Sequence, residues 1–355
     1  MAINLHDKYA KEIQTKFTKE SMVKGMLSGN YDFTGVKTVK IVTPQTVPMG
    51  DYTRSGTNRY GTPTEMQDVV QEMTLTQDKS FSLTIDKGNN ADQNGVKEAG
   101  KMLALQIAEQ AVPTMDKYCF MQLAQKAGKV VANATALSKS NVCTQITNGT
   151  TYMDDAEVPA DNRVLYVPSA TYALLRLSDE FQKCDPLIEK SLAKGQVGTY
   201  DGMNVIKVPA GRWPANVNFI IVHKSAGCAP VKLNDTKMHT DPPGISGNLL
   251  EGRQYYDLFV FGAKCNGVYV EVNTASGKGT VCADPTITAN SGALACTTTG
   301  ATIVYTTDGT DPRYSMSAKA GTTTDVTDAG TVVKAYAHKD GCYPSAVVTT
   351  TLTGA

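Results

Sequence analysis

The stretch Ser80-Phe-Ser-Leu-Thr-Ile-Asp86, followed by Lys87-Gly-Asn-Asn90 and a periodic run ending at Gly128, decides how this chain is read. The first seven residues alternate polar and apolar side chains, the two-residue period of a half-buried strand. Lys87 to Asn90 carries turn chemistry. From Asp92 the period becomes helical: Val96, Ala99, Gly100, Leu103, Ile107 and Ala111 share one stripe. Asn90 with Gln93 resembles a capping box in which Asn replaces Ser or Thr. Pro113 removes a backbone donor inside the pattern and predicts a kink or restart. Met115, Cys119, Leu123 and Ala124 then continue to a stop at Gly128. A strand feeding one very long helix is a beam.

Outward from the beam, Val36-Lys-Thr-Val-Lys-Ile-Val42 and Val69 to Leu75 alternate, so residues 36–86 read as a long β-hairpin excursion. Its tip, Met49 to Pro63, is polar and Gly-rich and has almost nothing apolar to bury. Tyr52, Arg54, Arg59 and Tyr60 are its candidate contact residues. Residues 1–35 form an arm with a loose amphipathic pattern through Ile3, Tyr9, Ile13, Phe17 and Met22 to Leu27, stopped by Ser28-Gly-Asn30.

Beyond the beam (87–128), residues 129–250 read as mixed α/β. Asn162 to Pro168 is a buried strand, and Ser169 caps a helix through Leu174, Leu175, Leu177 and Phe181. Gly198 to Pro209 is a hairpin turning at Asp201-Gly202, Gly195 to Gly198 is a loop, and Asn218 to His223 is a central strand. Residues 251–273 return as two β segments. Thr274 to Thr280 begins a short flexible linker (274–283). Residues 284–355 are Thr-, Val- and Ala-rich, with alternating strands at Ile303 and Val333, and make a small β-sandwich.

The composition excludes several classes. The 355 residues include 34 basic and 34 acidic side chains, so nothing pulls the whole chain toward nucleic acid. The opening lacks a secretory pattern, and no apolar run reaches the ~18 residues of a membrane span. Synthesis and folding in a cytoplasm are expected. The eight cysteines form no C-x-x-C pair, which argues against zinc. Cys282, Cys296 and Cys342 share the last domain, and their disulfide state is open. His6, His223, His239 and His338 are isolated from one another. Asp154-Asp155 with Glu157 reads as a solvated acidic turn, and Asp308 to Asp311 as a β-turn. No nucleophile, phosphate-binding or metal-ligand motif occurs. No catalytic residue, metal ligand or cofactor is expected. The arm and the polar hairpin tip lack partners within one subunit, and identical copies can supply them.

The order of arm, hairpin, beam, α/β domain and returning strands resembles a tailed-phage major capsid protein of the Hong Kong 97-like fold. The residues that carry it are Phe81 to Asp86 with Asn90-Ala-Asp-Gln93, Val112 to Tyr118, Val158 to Pro168, Leu174 to Leu177, Gly202 to Pro209, Asn218 to His223 and Gly252 to Val260. The likeness spans residues 1–272. Residues 284–353 resemble an immunoglobulin-like domain of the chitobiase carboxy-terminal type. Ala301 to Pro312 and Val333 to Gly341 carry that likeness, with Tyr305, Asp308, Gly309, Pro312 and Gly341 as its signature.

The resemblance implies an α+β capsid fold followed by an all-β module. It implies hexamers and pentamers of this chain in an icosahedral virion head around double-stranded DNA held without sequence preference. It also implies a spine helix carrying Val96, Leu103, Ile107 and Pro113. A separate scaffolding protein, a portal and other head proteins are the implied partners. The terminal module is expected on the outside, with host or mucosal glycans as its weak ligands. Two other readings stand beside this one: an encapsulin-type nanocompartment shell, and a secreted glycosidase or adhesin with an accessory β-domain.

Overall fold

The computed structural model describes residues 20–354, apart from 24, 30, 32, 34, 35, 48, 64, 93–96 and 179–195. The arm positions Ile3 to Phe17, and Gln93, Val96, Phe181 and Gly195, lie outside the described residues.

Strands β1 (Thr38–Pro44) and β2 (Asp68–Thr74) pair antiparallel, with Thr38 opposite Thr74 and Pro44 opposite Asp68. This is the expected hairpin, but it closes earlier than residue 86. β3 (Gln77–Asp86) leaves it and enters another sheet. Asp257 makes the division. Its carboxylate accepts from the Thr76 backbone N–H and hydroxyl, both at 2.8 Å, where the chain turns from β2 into β3.

Lys87 to Asn90 is no turn: α1 (Lys87–Asp92) begins there, and Asp86 Oδ1 accepts the Asn89 N–H at 2.8 Å as its cap. Asn90 is not a capping-box residue. Its side chain bridges to the Lys97 N–H and carbonyl. The beam proper is α2 (Ala99–Gln106), a π-turn (Ile107–Ala111) and α3 (Val112–Gln125). Pro113 does not break it. The π-turn just ahead of the proline, with Val112 N–H donating five residues back to Ile107, absorbs the irregularity. α3 buries Asp116, Cys119, Phe120, Leu123 and Ala124, the 3–4 spacing of one face, whereas α2 and the π-turn bury nothing.

The chain continues through β4 (Lys129–Asn133), α4 (Val142–Asp155), β5 (Arg163–Pro168), α5 (Ser169–Arg176), β6 (Gln196–Tyr200), β7 (Met203–Val208), β8 (Val217–His223), β9 (Gly227–Cys228), β10 (Val231–Thr240), β11 (Gly247–Tyr256), β12 (Phe259–Val260) and β13 (Val268–Asn273). β6 and β7 turn at Asp201-Gly202, both at positive φ as a primed hairpin turn requires. Gln196 to Gly198 is therefore strand rather than loop. Ser169 lies inside α5; Pro168 is its cap residue, with no side-chain bond.

A six-stranded sheet of order β4-β13-β8-β5-β7-β6 forms the centre. β5, β8 and β13 are buried almost throughout, which explains their unbroken Val/Ile runs. One face packs on α3 with Met22, Val23, Leu27 and Trp213. The other face packs on residues of α4 and α5. β13 therefore belongs to this central sheet, not to a separate returning layer.

The returning layer is the sheet β10-β11-β3, in which β3 runs its whole length along β11. β10 lies here too, although residues 231–240 were expected in the α/β region. Gly252 sits opposite Phe81, and a Cβ there would meet the Phe81 ring at 2.3 Å. The aromatic thus lies over the glycine and pins the register.

The terminal module holds β14 (Thr286–Ile287), β15 (Leu294–Ala295), β16 (Thr302–Thr306), β17 (Lys319–Ala320), β18 (Val332–His338) and β19 (Val348–Thr351). A four-stranded sheet β17-β16-β18-β19 and the pair β14-β15 enclose Leu294, Ile303, Tyr305, Val333, Ala335 and Leu352.

Candidate functional site

Two features stand out: the hairpin tip and the joint between body and terminal module. At the hairpin base, Met73 and Leu75 are buried with Phe33, Phe259 and Phe261. Gln71 fixes its angle. It donates to the Val260 carbonyl and accepts from the Gly262 N–H, both at 2.8 Å. Beyond the base the cover ends. Of thirteen exposed large apolar side chains among the described residues, seven lie between Val36 and Met66, including Met49 at 100% and Tyr60 at 92%. Such clustering differs from the scattered exposure of single apolar side chains. The tip is not featureless. Thr53 N–H donates to Arg59 O, Arg59 Nε donates to Gly56 O, and the Tyr52 and Tyr60 rings meet edge-on at 5.0 Å. Tyr52, Arg54, Arg59 and Tyr60 are all exposed. On the beam, Leu103, Ile107 and Pro113 are each only half-covered.

The joint is the feature that sequence reasoning missed. Arg313 reaches from the module to the end of the beam. Its Nη1 donates to the Ala127 carbonyl at 2.7 Å and the Gly128 carbonyl at 2.8 Å. Tyr314 OH donates to the Lys126 carbonyl at 2.5 Å. These three carbonyls follow directly on α3, where helix acceptors go unpaired and the dipole is negative. A guanidinium is the side chain best suited to that end. Asp311 orients it, accepting from Arg313 Nε at 3.0 Å and from Nη2 at 2.6 Å. Burial opposes the charge of Arg313, but the bonds to Asp311 outweigh it and raise the pKa. Gly128 must be glycine, since a Cβ would meet the Cys265 carbonyl at 2.1 Å.

Further bonds close the joint. Gln125 Nε2 donates to the Cys342 carbonyl, and Tyr343 OH to the Ala215 carbonyl. The segment expected as a flexible linker is tied down as well. Thr274 N–H donates to Asn133 O, and Asn216 Nδ2 to Lys278 O. The body holds it at these two points, and turns within the segment and bonds to the module hold the rest, so the module is clamped rather than tethered. A cavity of about 500 Å³ lies at this junction, lined by residues of the hairpin, the body and the module, among them Gln71, Tyr152, Arg313 and Lys334.

The module's signature residues serve this joint from behind. Tyr305 is in the module core. Asp308 and Gly309 form the turn that leads to Asp311. Burial would raise the Asp308 pKa, but hydrogen bonds from Ser317 and Thr310 hold it below the usual range. Pro312 is buried beside Arg313, and Gly341 turns the chain at positive φ. One signal of the joint was readable: Arg313 is the sole arginine beyond residue 283, in a module otherwise poor in charge.

Other polar groups noted in the sequence are structural. Asp154 pairs with the buried Arg163 at 2.7 Å, so it is more than a solvated turn. His223 Nδ1 accepts from the Ser225 N–H and caps a short turn. Among the described residues no group of His, Cys, Asp and Glu is placed to hold a metal ion. No helix among them is long and apolar enough to cross a membrane.

Comparison with solved structures gives the body its place. It is similar to a chain of Mycobacterium phage Che8, with a TM-score of 0.62, 16% identity, and coverage of 76% of this chain and 98% of that one. It is also similar to the mature capsid of bacteriophage PhiM1, at TM-score 0.59 and 13% identity, covering 77% of this chain and 92% of that one. The capsid of cyanophage P-SCSP1u follows at TM-score 0.57 and 12% identity, covering 76% and 93%. The body has a phage capsid fold. Residues 277–350 match the family model of the chitobiase/beta-hexosaminidase C-terminal domain. No curated protein matches the chain. The capsid fold and the β-module are thus joined end to end in one polypeptide, and Arg313 seals the seam between them.

Proposed function

We propose that this chain is the major capsid protein of a tailed bacteriophage, assembling with itself as hexamers and pentamers into an icosahedral shell around double-stranded DNA. One observation carries the reading: the capsid-type body bears a hairpin whose Val42, Val47, Met49, Tyr60 and Met66 are exposed in the single subunit. A second copy of the chain is the natural cover for such a surface. The balanced charge suits a wall that contains DNA without gripping it. The role is structural, not catalytic. A scaffolding protein, a portal and other head proteins are its partners in assembly. Synthesis takes place in the host cytoplasm, and the final location is the virion.

The terminal module faces outward in this reading and offers weak adhesion to host or mucosal glycans. Because it is clamped to the spine helix, it also reinforces the subunit that carries it. Electron microscopy of the purified protein, with assay of particle nucleic acid, tests the whole. Closed shells that package DNA in infected cells support it. Shells holding one host enzyme instead of DNA select the nanocompartment. A protein that stays monomeric under every assembly condition overturns both.

A further inference from the structure

The cavity of about 500 Å³ at the joint carries an unbalanced charge. Among the described residues that line it, the charged side chains are Lys129, Asp311, Arg313 and Lys334. Asp311 and Arg313 cancel one another, since the guanidinium holds both oxygens of the carboxylate. The other two are lysines. Lys129 opens β4, directly after the helix end that Arg313 seals, and its ammonium lies 5.8 Å from the centre of the Tyr152 ring. Lys334 comes from the module. On β18 it projects to the side opposite the core residues Val333 and Ala335, and its strand partner Thr349 lines the same cavity. Both lysines are half-buried, and neither ammonium reaches a carboxylate or a hydrogen-bond acceptor among the described residues. Docking of the module thus brings two like charges to one concave wall without a counter-charge. They repel one another and have lost part of their hydration, so a negative group entering the cavity is favoured.

We propose that the cavity is a binding site for an acidic saccharide unit, its carboxylate held between Lys129 and Lys334. Size separates this ligand from a bare ion. The cavity lies within the ~300–1,000 Å³ of small-molecule clefts, far more space than a single oxyanion fills. The remaining wall suits a body rich in hydroxyl groups. Thr43, Gln45 and Thr349 line it, and their side-chain hydroxyl and amide groups have no hydrogen-bond partner among the described residues. The hairpin supplies Thr43 and Gln45, the body Lys129, and the module Lys334 and Thr349. The site therefore exists where three parts of the chain meet, and neither the body nor the module alone holds both charges. The inference rests on the glycan-adhesion reading above, and it names the site and the ligand class for that reading.

The test is calorimetric titration of the full-length protein at low ionic strength with glucuronic acid and N-acetylneuraminic acid, with N-acetylglucosamine as the neutral control. The two acids should bind and the neutral sugar should not, and binding should weaken as salt is raised. K129Q and K334Q should each weaken binding about tenfold, the loss of one charge-assisted hydrogen bond. K334E should abolish it. Because Lys129 and Lys334 belong to different parts of the chain, a folding failure of one variant leaves the other decisive. Equal binding of the neutral sugar overturns the proposal, as does an affinity unmoved by both glutamine variants. Inorganic phosphate binding as tightly as glucuronic acid also overturns it, because the hydroxyl-matching wall then contributes nothing. A glycan array separates the two readings. Glycan binding that survives replacement of both lysines removes this site and leaves adhesion standing, whereas an array with no bound glycan removes both.

Discussion

Arg313 donates to the carbonyl of Gly128 at 2.8 Å, across the boundary between the capsid-type body and the terminal module. A side chain of the second fold thereby completes the spine helix of the first. Arg313→Met leaves Asp311 without its cation and strands the carbonyls of residues 127 and 128. The expected cost is about 3 kcal/mol. In calorimetry the terminal module should melt earlier, and limited proteolysis should begin to cut between residues 274 and 283. Arg313→Lys should recover only part, because an ammonium cannot span two carbonyls and a carboxylate in one plane. Unchanged proteolysis would show the clamp to be ornamental.

A second buried ion pair holds the segment Glu20 to Met22 against α3. Asp116 is fully buried on α3 and accepts from Arg212 Nη1 at 2.9 Å, Ser21 Oγ at 2.6 Å and the Met22 N–H at 3.1 Å. Asp116→Ala is expected to cost roughly 3–5 kcal/mol, since a buried guanidinium loses its counter-charge. Urea unfolding of D116A, R212M and the double variant tests this. The double variant should lose clearly less than the sum of the singles.

Glu271 gives a pH signature. It is fully buried on β13, its Oε1 accepts from Asn133 and Asn218, and its Oε2 has no hydrogen-bond partner among the described residues. Burial raises its pKa above the usual carboxylate range, with the two asparagine bonds opposing. The folded state therefore holds the proton more tightly than the unfolded one. Its contribution is complete below the unfolded carboxylate pKa and is lost as pH rises through the folded value. Glu271→Gln keeps an uncharged amide there. The melting temperature of the variant relative to the parent should thus be higher at about pH 8 than at about pH 5. A difference independent of pH removes Glu271 from the account.

Deleting residues 52–61 removes the paired Tyr52 and Tyr60 and the turn held by Arg59, none of which packs on the body. The subunit should unfold within about 0.5 kcal/mol of the parent, the usual effect of an exposed change, yet fail to close shells in an assembly assay. Normal shell yield would put the intersubunit contact elsewhere.

What could be read from the residues followed from period. The alternation of β3, the Asp201-Gly202 turn and the continuous apolar runs of β5 and β8 are local signals, and they appear in the structure as expected. Pairing partners are not local. Nothing in Val69 to Ile85 announces that Asp257, far along the chain, splits the segment so that one half pairs with β1 and the other with β11. Val268–Asn273 likewise looks alike in either sheet, and only its neighbours assign it to the centre. Composition misled at residues 274–283. Ser and Gly describe a free chain, but here a tight turn closes on Gly277, and the body bonds Thr274 and Lys278 on either side. The central contact of the joint is an arginine whose acceptors lie about two hundred positions earlier, a distance no spacing rule can span.

Because the helix end is finished by a borrowed guanidinium, the module is no interchangeable badge. Anyone grafting a foreign cargo after residue 276 would uncork three acceptors that had been stoppered from outside, and the graft would have to bring its own plug. Natural loss of the module would face the same demand, which ties the inheritance of the two folds together.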